Sequence, residues 1–172
     1  MNNLTSDYIV IDTNIFEHLF NPQNNINGHI TSLFDFLLKD KINLLVDSKG
    51  RIHAEYKHRL AQKIQQAYEQ PKIRSILKYY LAPANHKPID VDQGRELMAQ
   101  IGRIVLNSTD RVFVYVAFRE GKKLITNDEN DFIHEGNRRD RRRRNLREIK
   151  LDHRSDILTS QEAYDMISAD FA

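Results

Sequence analysis

The chain has 172 residues, 40% hydrophobic and 29% charged, a balance that suits one folded domain with a real core and excludes a disordered polar chain. It holds no cysteine, which excludes disulfides, thiolate metal sites and cysteine nucleophiles. No apolar run approaches the roughly 18 residues of a membrane span, and the N-terminus shows no basic-then-apolar leader, so a cytoplasmic protein with no membrane partner is expected.

In chain order, Tyr8 to Ile11 (YIVI) is a β-branched apolar run ending at Asp12, the pattern of a buried central strand. Ile15, Phe16, Leu19 and Phe20 fall at helical spacing after Thr13 and Asn14, and Asn21-Pro22 breaks the pattern. Asn21 to Gly28 reads as a loop. Ile30 to Leu38 is an amphipathic helix, and Ile42 to Val46 a second buried strand followed by a turn or helix entry at Asp47 to Gly50. A long helix is expected over 51–69, stopping before Pro71, and a shorter one over 73–81. Pro83 to Pro88 reads as a linker within the domain, and 92–106 as a helix. Ser108 or Thr109 is the expected cap of the helix that carries Val112, Phe113, Val116 and Ala117, with Gly121 ending it. Lys123 to Thr126 and Asp156 to Leu158 are two more strands. Thr159 and Glu162 have capping-box spacing before a last helix over 161–167.

Strands alternating with helices predict an α/β fold around a parallel sheet, in one domain spanning 1–172. Ligands of such sheets bind beyond the carboxyl ends of the strands. Asp12 directly follows the first strand and Asp128 the third, Asp110 opens a helix, and Glu55 lies early in the helix after the second strand. Four acids distant in sequence are thus expected on one patch. Clustered carboxylates repel one another unless a cation compensates, and hard oxygen ligands suit Mg²⁺ or Mn²⁺. Asn14, Thr126 and Asn127, with Thr13, stand beside them as groups to orient carboxylates or meet phosphates. Each acid alone has a plainer explanation: Asp12 and Asp110 as helix-start residues, Glu55 as a solvated helix residue, Asp128 as a turn residue. The combination favours a metal site.

The net charge of +2 hides a concentrated basic segment. Between residues 138 and 147 stand Arg138, Arg139, Arg141, Arg142, Arg143, Arg144 and Arg147, broken by a single acid, Asp140. Arginines so gathered, in a loop at about 134–150, suit contact with nucleic-acid phosphates. The alternative is a charge-rich solvated loop. Seven scattered histidines form no ligand motif; His53 and His134 lie nearest the acidic motifs. Tyr56, Tyr79 and Tyr80 are expected to pack and not to stack bases.

These motifs, in this order, resemble the PIN-domain ribonuclease family. IVIDTNIF (9–16) is similar to its first motif, Glu55 in RIHAEYKHRL to the acid of its early helix, Asp110 in STDRVFVYVAF to its third acid, and LITNDENDF (124–132) to its fourth motif. The resemblance spans about 8–168. It implies a three-layer α/β/α sandwich with a central parallel sheet of four to five strands, and Mg²⁺- or Mn²⁺-dependent cleavage of RNA. It makes Asp12, Glu55, Asp110 and Asp128 the acids of the site. Many members are toxins held by an antitoxin, and many form homodimers. Two departures stand out. No apolar-Pro pair precedes Glu55, and Asp128 and Asp131 are spaced one residue wider than the family's pattern, which makes Asp131 an additional metal-ligand candidate. The competing expectations are a PIN-like nucleic-acid-binding or scaffolding module without catalysis, and a phosphotransferase using Asp12 as nucleophile. The second lacks its companion residues: Asn14 stands where a dehalogenase-type enzyme needs an aspartate.

Overall fold

The computed structural model describes residues 7–21, 23, 25, 28–128, 145–146, 148–149 and 155–169. Asp131 and the arginines from Arg138 to Arg147 lie outside them, as does His134.

Five strands form one parallel sheet: β1 (Tyr8–Ile11), β2 (Asn43–Asp47), β3 (His86–Ile89), β4 (Lys123–Ile125) and β5 (Asp156–Leu158). Their order is β3-β2-β1-β4-β5. β1 is central because its apolar run can be buried on both faces. Ile9 pairs with Leu44 on one side, and Val10 and Ile11 pair with Leu124 and Ile125 on the other. Helices flank the sheet: α1 (Thr13–His18), α2 (His29–Lys39), α3 (Arg51–Gln66), α4 (Pro71–Tyr80), α5 (Arg95–Gly102), α6 (Ser108–Arg119) and α7 (Ser160–Ala169). Right-handed crossovers put the connections β1 to β2 and β2 to β3 on one face and the return from β3 to β4, carrying α5 and α6, on the other. The packing agrees: α2 lies against α4 and α7, while α6 lies against α5 and across β1, β2 and β4. This is an α/β fold of three layers. Among the described residues no helix is long and apolar enough to cross a membrane.

The core is aromatic at its centre. Phe16, Phe34, Tyr56, Tyr80 and Phe113 are almost wholly buried, with Phe16 touching Phe34, Tyr56 and Tyr80 at ring separations of 5.1, 5.3 and 6.0 Å. Tyr56 and Tyr80 are therefore packing residues, and Tyr79, half-buried, donates to Asn43 Oδ1.

Several boundaries differ from the sequence reading. The expected linker contains β3, whose Val46↔Pro88 register sits on a strand paired on one side only. An edge strand accepts proline because one side of its backbone needs no partner. The long helix ends at Gln66, and a single tight turn over Ala67–Glu69 leads into α4, which begins at Pro71. A proline in the first turn loses no helical hydrogen bond. α5 covers only Arg95–Gly102, and α1 stops at His18. Asn107 caps α6 by accepting from Thr109 N at 2.9 Å, in place of the expected Ser108 or Thr109. Gly121 does end α6. Its φ of +62° is the left-handed geometry glycine tolerates, and the bonds Lys122 N to Ala117 O and Gly121 N to Phe118 O complete a Schellman turn. The capping box holds too: Thr159 N donates to Glu162 Oε2 and Glu162 N to Thr159 Oγ1, at 2.8 and 3.0 Å.

Candidate active site

The sheet order reverses direction at β1. The chain leaves it toward β2 on one side and reaches β4 on the other, so a crevice opens between the carboxyl ends of β1 and β4. Asp12 stands at the end of β1, where its backbone N–H still bonds Ile125 O on β4 at 2.9 Å. Its extended backbone makes it the N-cap of α1. The cap bond is slack, with Asn14 N lying 3.5 Å from Oδ1.

The firm contacts are on Oδ2. Thr126 Oγ1 donates to it at 2.6 Å and Asn14 Nδ2 at 2.9 Å. Thr126 Oγ1 in turn accepts from Asn14 Nδ2 at 3.2 Å and from Asp128 N at 3.1 Å, so this buried hydroxyl uses its donor and both acceptor positions. Asn14 Oδ1 accepts from Asn127 N at 3.1 Å. Asn14 and Thr126 thus clasp the loops after β1 and β4 and fix the plane of the Asp12 carboxylate.

Asn127 extends the clasp away from the acids. Its Oδ1 accepts from Ser160 N at 2.9 Å, and its Nδ2 reaches Ser160 Oγ at 2.8 Å and His18 Nδ1 at 3.1 Å. Ser160 Oγ lies 2.9 Å from His29 Nε2. The starts of α2 and α7 are tied through these groups to the β4 loop.

Glu55 arrives from α3. Asp47 at the end of β2 anchors that helix by accepting from Arg51 N and Ile52 N at 3.0 and 2.8 Å. Tyr56 fixes its distance from β1, since its buried hydroxyl donates to Ile11 O. Burial, with Asp12 and Glu55 nearby, raises the phenol well above its ordinary range and keeps it neutral. Glu55 is then placed to accept from Thr13 Oγ1 at 3.1 Å. Asp110 lies in the first turn of α6, 8% exposed.

Asp12, Glu55, Asp110 and Asp128 all line one open cavity of about 940 Å³. Asn14 and Asn127 line it as well, whereas Thr126 is buried beneath. Burial pushes the Asp12 carboxyl up to about 6. The Thr126 hydrogen bond opposes this, and the charges of Glu55 and Asp128 add to it. Glu55 is also raised, again chiefly by burial, against the pull of Thr13 and Arg59. The side chains are hard oxygen donors of the type Mg²⁺ accepts. Among the described residues, however, no three acids or histidines stand close enough to form a ready-made metal cage. Mg²⁺ commonly retains several waters and takes only one or two carboxylates, so this donor set fits a hydrated ion better than a closed cage.

Sequence reasoning missed the cationic wall. Arg51, His58 and Arg59 line the same cavity from α3, with His18 from α1. Arg51, Glu55 and His58 follow helical spacing, the signal that would have placed them on one face. Arg59 is held by Glu17 through two bonds of 3.0 and 2.7 Å. His53, which the sequence placed near Glu55, instead packs its ring 5.2 Å from that of His86.

No protein-family model, curated protein or solved structure matches the chain.

Proposed function

We propose that this protein is a metal-dependent endoribonuclease that hydrolyses RNA phosphodiester bonds. The observation that carries the reading is the cavity at the β1–β4 crevice, lined by Asp12, Glu55, Asp110 and Asp128 from four separate stretches of chain. Burying carboxylates around one opening is costly unless a cation joins them. The resemblance of the motifs to PIN-domain ribonucleases supports the same conclusion.

In this reading Asp12, Asp110 and Asp128 hold Mg²⁺ or Mn²⁺, with Asp131 completing the set and Glu55 beside it. When bound, the ion supplies positive charge to a phosphate and makes a water easier to deprotonate. The chain's own residues do the rest. Thr126 and Asn14 occupy Oδ2 of Asp12 and leave Oδ1, with its single slack contact, as the oxygen offered to the cavity. Glu55, raised chiefly by burial, is the acid suited to accept a proton from the attacking water. Arg51 and His58, on the same face of α3 as Glu55, are suited to meet substrate phosphates, and the arginines at 138–147 to hold the RNA backbone. A toxin held by an antitoxin is the biological setting the resemblance suggests, and the neighbouring genes would test it.

The absence of a close acidic trio among the described residues favours a second reading, a nucleic-acid-binding module without catalysis. Incubating the purified protein and its D12N variant with total RNA, in Mn²⁺ or in EDTA, separates the two. Cleavage is expected only from the unmodified protein with metal, with a loss of at least about a hundredfold in D12N, the scale of removing one preorganised electrostatic group. Equal cleavage by D12N would remove Asp12 from the chemistry. RNA binding without cleavage in any metal would favour the binding module.

A further inference from the structure

A second cavity, of about 530 Å³, opens on the other side of the first turn of α6. Val91, Met98 and Ala99 give it an apolar part, and Arg95, Arg103 and Arg111 line it as well. Arg111 is preorganised. Its Nε donates to Val105 O at 2.6 Å and its Nη2 to Leu106 O at 2.9 Å, which fixes the guanidinium plane and leaves further N–H groups for a ligand. Arg95 and Arg103 are exposed and make no ion pair among the described residues. The one acid that lines it, Asp92, is engaged by Lys49 at 2.5 Å. The cleft therefore offers three cationic groups beside apolar side chains.

Its position indicates what it binds. Asp110 lines the acidic cavity and Arg111 lines this one. They are consecutive residues, about 3.8 Å apart along the backbone. The positive end of α6 and its cap Asn107 lie at the same junction. A polyanion emerging from the acidic cavity over the start of α6 would meet these arginines next. The volume falls in the range of small-ligand pockets, and guanidinium groups suit both the face of a base and its phosphates.

We propose that this cleft is a second RNA subsite, which takes the single strand beyond the cleaved position, with Arg95 and Arg103 on its phosphates. The proposal rests on the ribonuclease reading for the strand's route, and its test is independent of cleavage. Fluorescence anisotropy in EDTA would follow binding of single-stranded oligoribonucleotides of about 4 and about 12 nucleotides, the span over which such grooves fill. A salt series would be run for the unmodified protein and for the R95A/R103A and R95K/R103K variants. For the longer strand, the slope of log K against log salt is expected to fall by about 1.4 in R95A/R103A, the value for two lost single-strand phosphate contacts. R95K/R103K should restore it, and the shorter strand should show little change.

An unchanged slope for the longer strand in R95A/R103A overturns the proposal. So does loss of poly-glutamate binding in that variant with RNA binding intact, which would assign the cleft to an acidic protein segment. The D12N comparison keeps the two readings apart. Cleavage with an unchanged slope sinks the subsite alone, while a changed slope in a protein that never cleaves sinks the ribonuclease reading and leaves the subsite standing.

Discussion

Asp12 carries conflicting demands. Its carboxylate is 6% exposed, bonded by Thr126 and Asn14, and faces the charges of Glu55 and Asp128. Burial wins, and the group titrates at about 6 in place of 3.8. A raised carboxyl pKa means that the folded state binds the proton more tightly than the unfolded chain. The contribution to stability is full below about pH 4, declines as pH rises, and is lost above about pH 6. That difference corresponds to about 3 kcal/mol of strain in the metal-free protein at neutral pH. D12N keeps an oxygen for Thr126 and carries no charge. In EDTA it should therefore be the more stable protein above pH 6, by up to about 3 kcal/mol, with the gap closing toward pH 4. Urea unfolding at several pH values measures this, and a pH-independent gap would show that Asp12 is not the strained group. Arg59 shows the opposite case. Its guanidinium is taken up by Glu17 in a two-bond pair at the edge of the cavity, about half-exposed, where solvent screening leaves a modest stabilising effect.

At the scale of elements, the site depends on how α3 is anchored. Asp47 is 1% exposed and satisfies two N–H groups at the start of that helix, and Glu55 sits one turn further along. Asp47→Ala should cost about 2 kcal/mol, since it orphans two donors, one on the buried Ile52. The expected readout is a lower urea midpoint at unchanged slope, with Asp47→Asn losing less because one acceptor remains. An unaltered midpoint in the alanine variant would mean that water replaces the cap. At Asp47 the sequence was legible in part. Its strand was expected to end at Val46, with a turn or helix entry over Asp47 to Gly50; the helix entry is there, but β2 runs one residue further, to Asp47 itself. The strands with pure apolar runs, β1 and β2, were legible because burial on both faces demands such runs. β3 was not, because HKPI is polar, contains proline and is stabilised by pairing with β2 on one side only. The capping box at Thr159 was legible from spacing alone. The cap at Asn107 was not, because Asn107, Ser108 and Thr109 are all good caps and tertiary packing chose among them. The four acids were legible as strand-end and helix-start residues. The wall of Arg51, His58 and Arg59 escaped notice because basic residues on a long polar helix resemble an ordinary solvated face.

For the whole molecule, the cavity sits where the chain's connections converge. The segments after β1 and β4 and the helices α3 and α6 each contribute one acid to it, and these elements also hold much of the buried core. A ligand that joins those acids binds the folded chain and not the unfolded one, so it must raise the stability of the entire domain. If Mn²⁺ or Mg²⁺ is that ligand, a concentration a hundredfold above its Kd adds about 2.7 kcal/mol. For a domain of this size the gain appears as a rise in melting temperature of about 5 to 10 °C. The rise should be lost in D12N, which lacks the charge to be neutralised. The two proteins should thus draw level: D12N is the more stable in EDTA by up to about 3 kcal/mol, and the unmodified protein regains about 2.7 kcal/mol when the cation is added. Thermal unfolding of both at pH 7.5, with and without Mn²⁺, tests this convergence and needs no RNA. An equal rise in both would trace the effect to scattered surface carboxylates, and the cavity acids would then need another partner to explain their burial.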